Sequence, residues 1–266
     1  MSAVTAIFSV RAGAPFITSL ALALAAWLMP ATAGADQRDD FLAGRIRDCP
    51  RCDLAGMNFK RRDLSGADLT DANLKRANLH DARLTGARLA NANLADANLN
   101  KANLARADLT GANLRGAMLY AAILDGASLT GADLTDALMG TARITRADLS
   151  KATLRNADLR KARLPDAVLA GADLAGATLD FAFLRDAKLD GASLKEARLI
   201  GTELINTSLV RADLSDVNAL GANFRGADLS HALLTRTNFR RATMHDAKLD
   251  DATFRDTIMP DGTITP

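Results

Sequence analysis

Between residues 67 and 81 the chain reads Ala67-Asp68-Leu69-Thr70-Asp71, Ala72-Asn73-Leu74-Lys75-Arg76, Ala77-Asn78-Leu79-His80-Asp81, and the phrase continues in one register to Leu199. A large apolar centre recurs at every fifth residue, Ala stands two places before it, and Asp or Asn often lies between. Five steps along an α-helix turn a side chain by about 500°, a net of about 140°, so the leucines would be spread around the whole cylinder. In a flat strand side chains alternate, and an odd spacing sends successive leucines to opposite faces. The remaining way to collect them on one interior is a corner in every pentad, so that the chain winds as a coil and the coils stack. The Ala then points inward near the corner, where a larger side chain would overpack.

In this A(D/N)Lxx phrase the chain resembles the pentapeptide-repeat proteins. The resemblance implies an all-β fold, a right-handed quadrilateral parallel β-helix with one pentad per side and about 20 residues per coil. Centres fall at every fifth residue from Leu54 to Met259, which makes roughly ten coils and a rod about 50 Å long. The expected organisation is a signal peptide at 1–35, an N-terminal cap at 36–53, the solenoid at 54–259, and a stop at 260–266 marked by Pro260 and Asp261-Gly262.

Arg11 is the only charge in the first 35 residues, Phe16 to Met29 is apolar, and Ala31-Thr32-Ala33 and Ala33-Gly34-Ala35 are small-residue cleavage sites. This predicts export to the periplasm or beyond, with no membrane span left after cleavage. Asp39 to Ile46 reads as a short amphipathic helix, and Phe41, Leu42 and Ile46 are expected to cover Leu54. Cys49-Pro50-Arg51-Cys52 follows. A redox-active pair needs a thioredoxin-like setting that is missing, and two Cys without His at metal spacing fall short of a zinc site. In an oxidising compartment Cys49 and Cys52 read as a local disulfide or a pinned turn.

Folded at 20 residues per coil, the sequence turns large apolar side chains outward on two adjacent walls: Met118, Tyr120, Leu138, Phe181, Ile200 and Leu220 on one, Ile123, Phe183 and Ile205 on the next. Asp158, Arg160, Lys161 and Asp180 interrupt them. Such a stripe marks a contact surface, for a protein partner or a second copy. Elsewhere the walls carry both signs of charge, with basic clusters at Arg45, Arg47, Arg51, Lys60, Arg61 and Arg62 and at Arg236, Arg240 and Arg241. Thr202 and Thr207 replace the inward Ala, so their hydroxyls need partners. The pentad Val217-Asn218-Ala219-Leu220-Gly221 exchanges volume between its two inward positions and is the expected place for a distortion.

No catalytic constellation is present: His80, His231 and His245 fall on different walls, and no nucleophile elbow or phosphate loop occurs. Gly66, Gly86, Gly111 and Gly126 sit where the chain turns. The sequence therefore reads as an exported, non-catalytic structural or protein-interaction scaffold without cofactor. A net charge of +2 over 266 residues gives no pull toward nucleic acid. The alternatives are a nucleic-acid mimic acting on a DNA topoisomerase, as the resemblance allows, and a carbohydrate or surface binder using the outward Thr70, Thr110, Thr130 and Ser150.

Overall fold

The computed structural model of the protein describes residues 32–266. Apart from residues 32–35, the expected signal peptide lies outside them. From Asp53 onward every fifth residue pairs in parallel with the residue twenty further on: Asp53 with Asn73, Asn58 with Asn78, Asp63 with Arg83, Asp68 with Arg88, and so on to Asn238 with Ile258. Four pairings in each twenty residues make four walls, with the large apolar centres inside. From Ala67 to Leu199 the inward Ala and the centres are at most 1% exposed.

One pentad shows why the phrase has its composition. Around Leu74, Ala72 N–H closes a turn on Leu69 O (3.1 Å), Asn73 N–H reaches back to Cys52 O (2.9 Å), Leu74 N–H reaches forward to Asn93 O (2.7 Å) and Arg76 N–H to Ala95 O (2.9 Å). That leaves Lys75 N–H, which donates to the Asn73 side-chain oxygen (3.2 Å). All five donors are then satisfied, and the Asp/Asn is there for the fifth. Arg76 has φ 58° at the third of the four residues closed by the Ala77 N–H to Leu74 O bond of 2.9 Å, the signature of a type II turn. The corner position stays left-handed throughout the rod, at Gly66 (φ 67°) as at Thr141 (φ 57°) and Phe181 (φ 58°).

The departures inside the shaft are absorbed. Thr202 and Thr207 donate their hydroxyls to Leu179 O and Leu184 O, both at 2.8 Å. Thr237 does the same to Leu214 O at 2.7 Å. The pentad at Val217 to Gly221 does not break the ladder: Ala219 N–H still meets Asn238 O at 2.9 Å. The small centre lies one coil below Phe239, whose ring meets that of Phe224 edge-on at 5.3 Å, so the missing volume is supplied by the larger neighbours.

At the N-terminal end helix α1 runs Thr32–Leu42, earlier than the expected 39–46. Phe41 is fully buried and Leu42 packs partly against the core. Ile46, expected to lie under the lid, is 36% exposed because the helix stops four residues before it. Phe41 meets Phe59 edge-on at 5.8 Å. Arg62 holds an inward position that later coils give to Ala; it belongs to this contact and not to an outward basic cluster. Its guanidinium lies 4.8 Å from the Phe41 ring centroid and donates to Phe41 O and Leu42 O, the carbonyl end of the helix, where a cation is favourable.

The repeat also starts one pentad sooner than Leu54. Cys49 is buried at a centre position, its N–H meets Asp68 O at 2.8 Å, Arg51 N–H meets Thr70 O at 2.8 Å, and Cys52 N–H closes the turn on Cys49 O at 3.3 Å. A disulfide joins Cys49 and Cys52 across that corner, with Cα atoms 5.4 Å apart. At the other end the chain folds back on itself: Ile264 pairs antiparallel with Ile258, and Met259 N–H meets Thr263 O at 2.8 Å. Among the described residues no helix is long and apolar enough to cross a membrane.

Candidate functional site

Part of the apolar stripe forms where the wall gives up its Asp or Asn. Met118 and Leu138 occupy that position in successive coils, so the residue two further on loses its usual side-chain acceptor. The gap at Tyr120 is filled from the coil before: Asn100 Oδ1 accepts Tyr120 N–H at 2.9 Å. The same substitution recurs at Ile200, where Asp180 Oδ1 accepts the N–H at 3.1 Å, and at Thr145, served by Asp125 at 3.2 Å.

Two aromatic rings then lie flat along the rod because the next coil has glycine beneath them. A Cβ on Gly140 would be 3.5 Å from the Tyr120 ring, and one on Gly201 would be 2.8 Å from Phe181 Cε1. Tyr120 and Phe181 remain 54% exposed, Leu138 49% and Phe183 42%. Met118, Tyr120, Leu138 and Gly140 floor a groove of about 510 Å³ rimmed by Thr141, Arg160 and Lys161.

The structure divides the stripe in two. Met118, Tyr120, Ile123 and Leu138 form one patch, and Phe181, Phe183, Ile200 and Leu220 the other. Of these, Met118, Ile123, Ile200 and Leu220 are only partly exposed. Ile205 is 7% exposed and leaves the surface altogether. It stands in a column between Arg185 and Arg225, side chains long enough to shelter it. Thr135, between Arg115 and Arg155, is buried in the same way. Leu233, 44% exposed, lies on another wall and was not among the expected contacts.

The acids between the patches are paired. Asp158 binds Arg160 at 2.5 Å and Asp180 binds Arg198 at 2.6 Å; the Arg163 guanidinium stands 5.9 Å from the Phe183 ring centroid. Elsewhere acid and base alternate from coil to coil, as in Asp63–Arg83 (2.5 Å), Asp68–Arg88 (3.3 Å) and Asp216–Arg236 (2.6 Å). The hydroxyl wall is also internally bonded: Thr70 donates to Asp68 at 2.7 Å, and Thr110 pairs with Ser128 at 3.0 Å. His231 lies beside Asp251 and His245 beside Asp246. Among the described residues no group of three or more His, Cys, Asp or Glu is placed to hold a metal.

These contacts set the acid response. The Arg160 hydrogen bond holds the Asp158 carboxyl below the usual carboxylate range, against partial burial, and the Thr70 and Ser230 hydroxyls do so for Asp68 and Asp228. A carboxyl depressed in the folded state adds stability above its unfolded pKa of about 3.9, and that stability is lost as pH falls through the lower folded value. The denaturant midpoint is therefore expected to hold from pH 7 to about pH 5 and to fall below about pH 4. Urea titrations at pH 7, 5 and 3 check this; a midpoint unchanged at pH 3 contradicts it.

The family model described as pentapeptide repeats (8 copies) matches the chain in six segments, over residues 52–89, 87–126, 122–160, 152–191, 192–230 and 220–256. Among solved structures the chain is similar to HetL, a pentapeptide repeat protein involved in heterocyst differentiation regulation from the cyanobacterium Nostoc sp. strain PCC 7120. Identity is 33% over 87% of this chain and 98% of that one, with a TM-score of 0.54. A pentapeptide repeat protein from the Arabidopsis thaliana thylakoid lumen is 31% identical over 39% of this chain and 68% of its own, with a TM-score of 0.27. Full-length QnrB1, a plasmid-mediated fluoroquinolone resistance protein, is 17% identical over 74% and 89%, with a TM-score of 0.34. The last two superpose too loosely to carry an argument. No curated protein matches.

Proposed function

This chain belongs to the pentapeptide-repeat family, and from that premise we propose that it is an exported, non-catalytic scaffold that presents one corner of its rod to a protein partner. The reading includes a right-handed coil, a cap formed by α1, and a periplasmic or secreted location reached through the segment 1–35. The observation that carries the function is the pair of rings held outward: Tyr120 and Phe181 are each laid over a glycine and each more than half exposed, while the surrounding acids are paired within the rod. Rigid aromatic side chains on a fixed backbone lose little entropy on binding and make strong anchors.

The nucleic-acid mimic is less well supported, since the acidic side chains are interleaved with Arg and Lys one coil away. The hydroxyl wall is likewise less well supported as a carbohydrate surface, with the Thr70 and Thr110 hydroxyls already bonded within the rod.

A photoreactive residue at Tyr120, compared in intact cells with one at the outward Thr110, tests the proposal. Crosslinks to a discrete partner are expected from position 120 at several times the yield from position 110. Equal yields, or none at either, would remove the corner as a binding surface.

A further inference from the structure

We infer that the C-terminal edge of the rod is a docking surface for the first coil of a second copy of this chain, and that α1 keeps the two apart. In each interior coil the centre N–H and the corner N–H point toward the following coil. Leu149 N–H meets Val168 O, and Lys151 N–H meets Ala170 O. The Asp/Asn N–H points the other way, as Asp148 N–H does to Ala127 O, so each pentad offers the following coil two N–H groups and one carbonyl.

The last coil ends with its leading donors unused. The N–H groups of Met244, Asp246, Leu249, Asp251, Phe254 and Asp256 have no acceptor among the described residues. On those three walls the centres Met244, Leu249 and Phe254 are only partly buried. The fourth wall is occupied by the folded-back tail at Met259 to Thr263. The first coil presents the complement: the carbonyls of Pro50, Asp53, Ala55, Asn58 and Lys60 accept no bond among the described residues.

Carrying the winding on past Met259 places the Cys49, Leu54 and Phe59 pentads of a second copy over those of Met244, Leu249 and Phe254. Donors then face acceptors on all three walls, and the apolar shaft runs on without interruption. A fit that continues the parallel ladder in this way is head to tail, which does not close and grows into a filament. The obstacle is α1, whose Phe41 sits against Phe59, on the third of the three docking walls. Arg62 holds it there by its bonds to Phe41 O and Leu42 O.

Sedimentation velocity of the full chain over a hundredfold concentration range tests this. Phe41→Asp, which makes the helix face polar, is expected to raise the mass fraction above wild-type size at least tenfold, with electron micrographs showing rods at multiples of about 50 Å. Arg62→Ala removes the tie to α1 without entering the deeper shaft and is expected to assemble in the same way, covering the case in which Phe41→Asp fails to fold. Adding Leu249→Asp should abolish assembly in either background, whereas association through the aromatic corner would be indifferent to it. The inference is overturned if either variant keeps the wild-type mass while trypsin cuts at Arg45 or Arg47 tenfold faster. It is equally overturned if assembly stops at a dimer or survives Leu249→Asp.

Discussion

Leu149→Ala is expected to cost about 3 kcal/mol and to weaken the rod locally before it melts as a whole. Leu149 is fully buried, and the inward neighbours in its own pentad and the next are Ala147 and Ala152, also buried. Alanines have no side chain with which to fill the space, and the backbone on either side is pinned by ladder bonds of 2.7 Å to Val168 O and 2.9 Å from Asp148 N–H to Ala127 O. A cavity that cannot collapse carries both the lost transfer free energy and a void term. Because each coil touches only its neighbours, the loss is concentrated in a few coils. Guanidinium denaturation should show the lower midpoint, and amide exchange should show lost protection confined to roughly one coil on either side of residue 149. A loss below about 1 kcal/mol would mean that the shaft repacks freely, contrary to a close-packed column of leucine and alanine.

Gly201→Ala is expected to cost about 2 kcal/mol, and about half of that should vanish when Phe181 is also removed. Gly201 has φ 62°, a conformation that costs an L-residue on the order of 1 kcal/mol. The new methyl would also lie 2.8 Å from Phe181 Cε1 and 2.9 Å from Cδ1, so the ring must lift off the coil, at a cost of about 1 kcal/mol more. Gly221 provides the control. It is one coil further along the same column, with φ 66° and nothing within 4 Å of an added Cβ, so Gly221→Ala should cost only the conformational part, about 1 kcal/mol. Unfolding free energies of Gly201→Ala, Phe181→Ala and the double variant form the cycle. If Gly201→Ala and Gly221→Ala cost the same, the ring does not rest on Gly201.

Much of the fold was legible before any coordinates. An odd spacing of large apolar residues admits a coil and excludes both a single helix and a flat strand, and the inward Ala and Leu are where that argument puts them. The corner glycines at 66, 86, 111 and 126 all have φ between 64° and 67°. The Asp and Asn of the phrase were visible but unexplained. Their role emerges only when the donors of a pentad are counted and one is found to need a side chain. The signal that marks the apolar corner, an Asn or Asp twenty residues before an aromatic or aliphatic residue, as in Asn100–Tyr120 and Asp180–Ile200, was likewise present and unread.

Where the sequence reading went astray, neighbours twenty residues away were responsible. Ile205 looked like part of the exposed stripe because its pentad position faces outward, yet Arg185 and Arg225 flank it in the stacked column. Arg62 looked like one charge in a basic cluster, but at the end of the shaft there is no coil below it and the helix carbonyls take its guanidinium. Cys49 and Cys52 were read as a local disulfide or pinned turn within the cap, and the turn they close is the first corner of the coil.

The sequence alone determined the period, the inward side chains and the corners, because these follow from the geometry of five consecutive residues. The tertiary structure alone decided which outward groups are exposed, which charges are paired and how α1 packs on the first coil. Those properties depend on what the neighbouring coil supplies, and adjacent coils meet across twenty residues of chain.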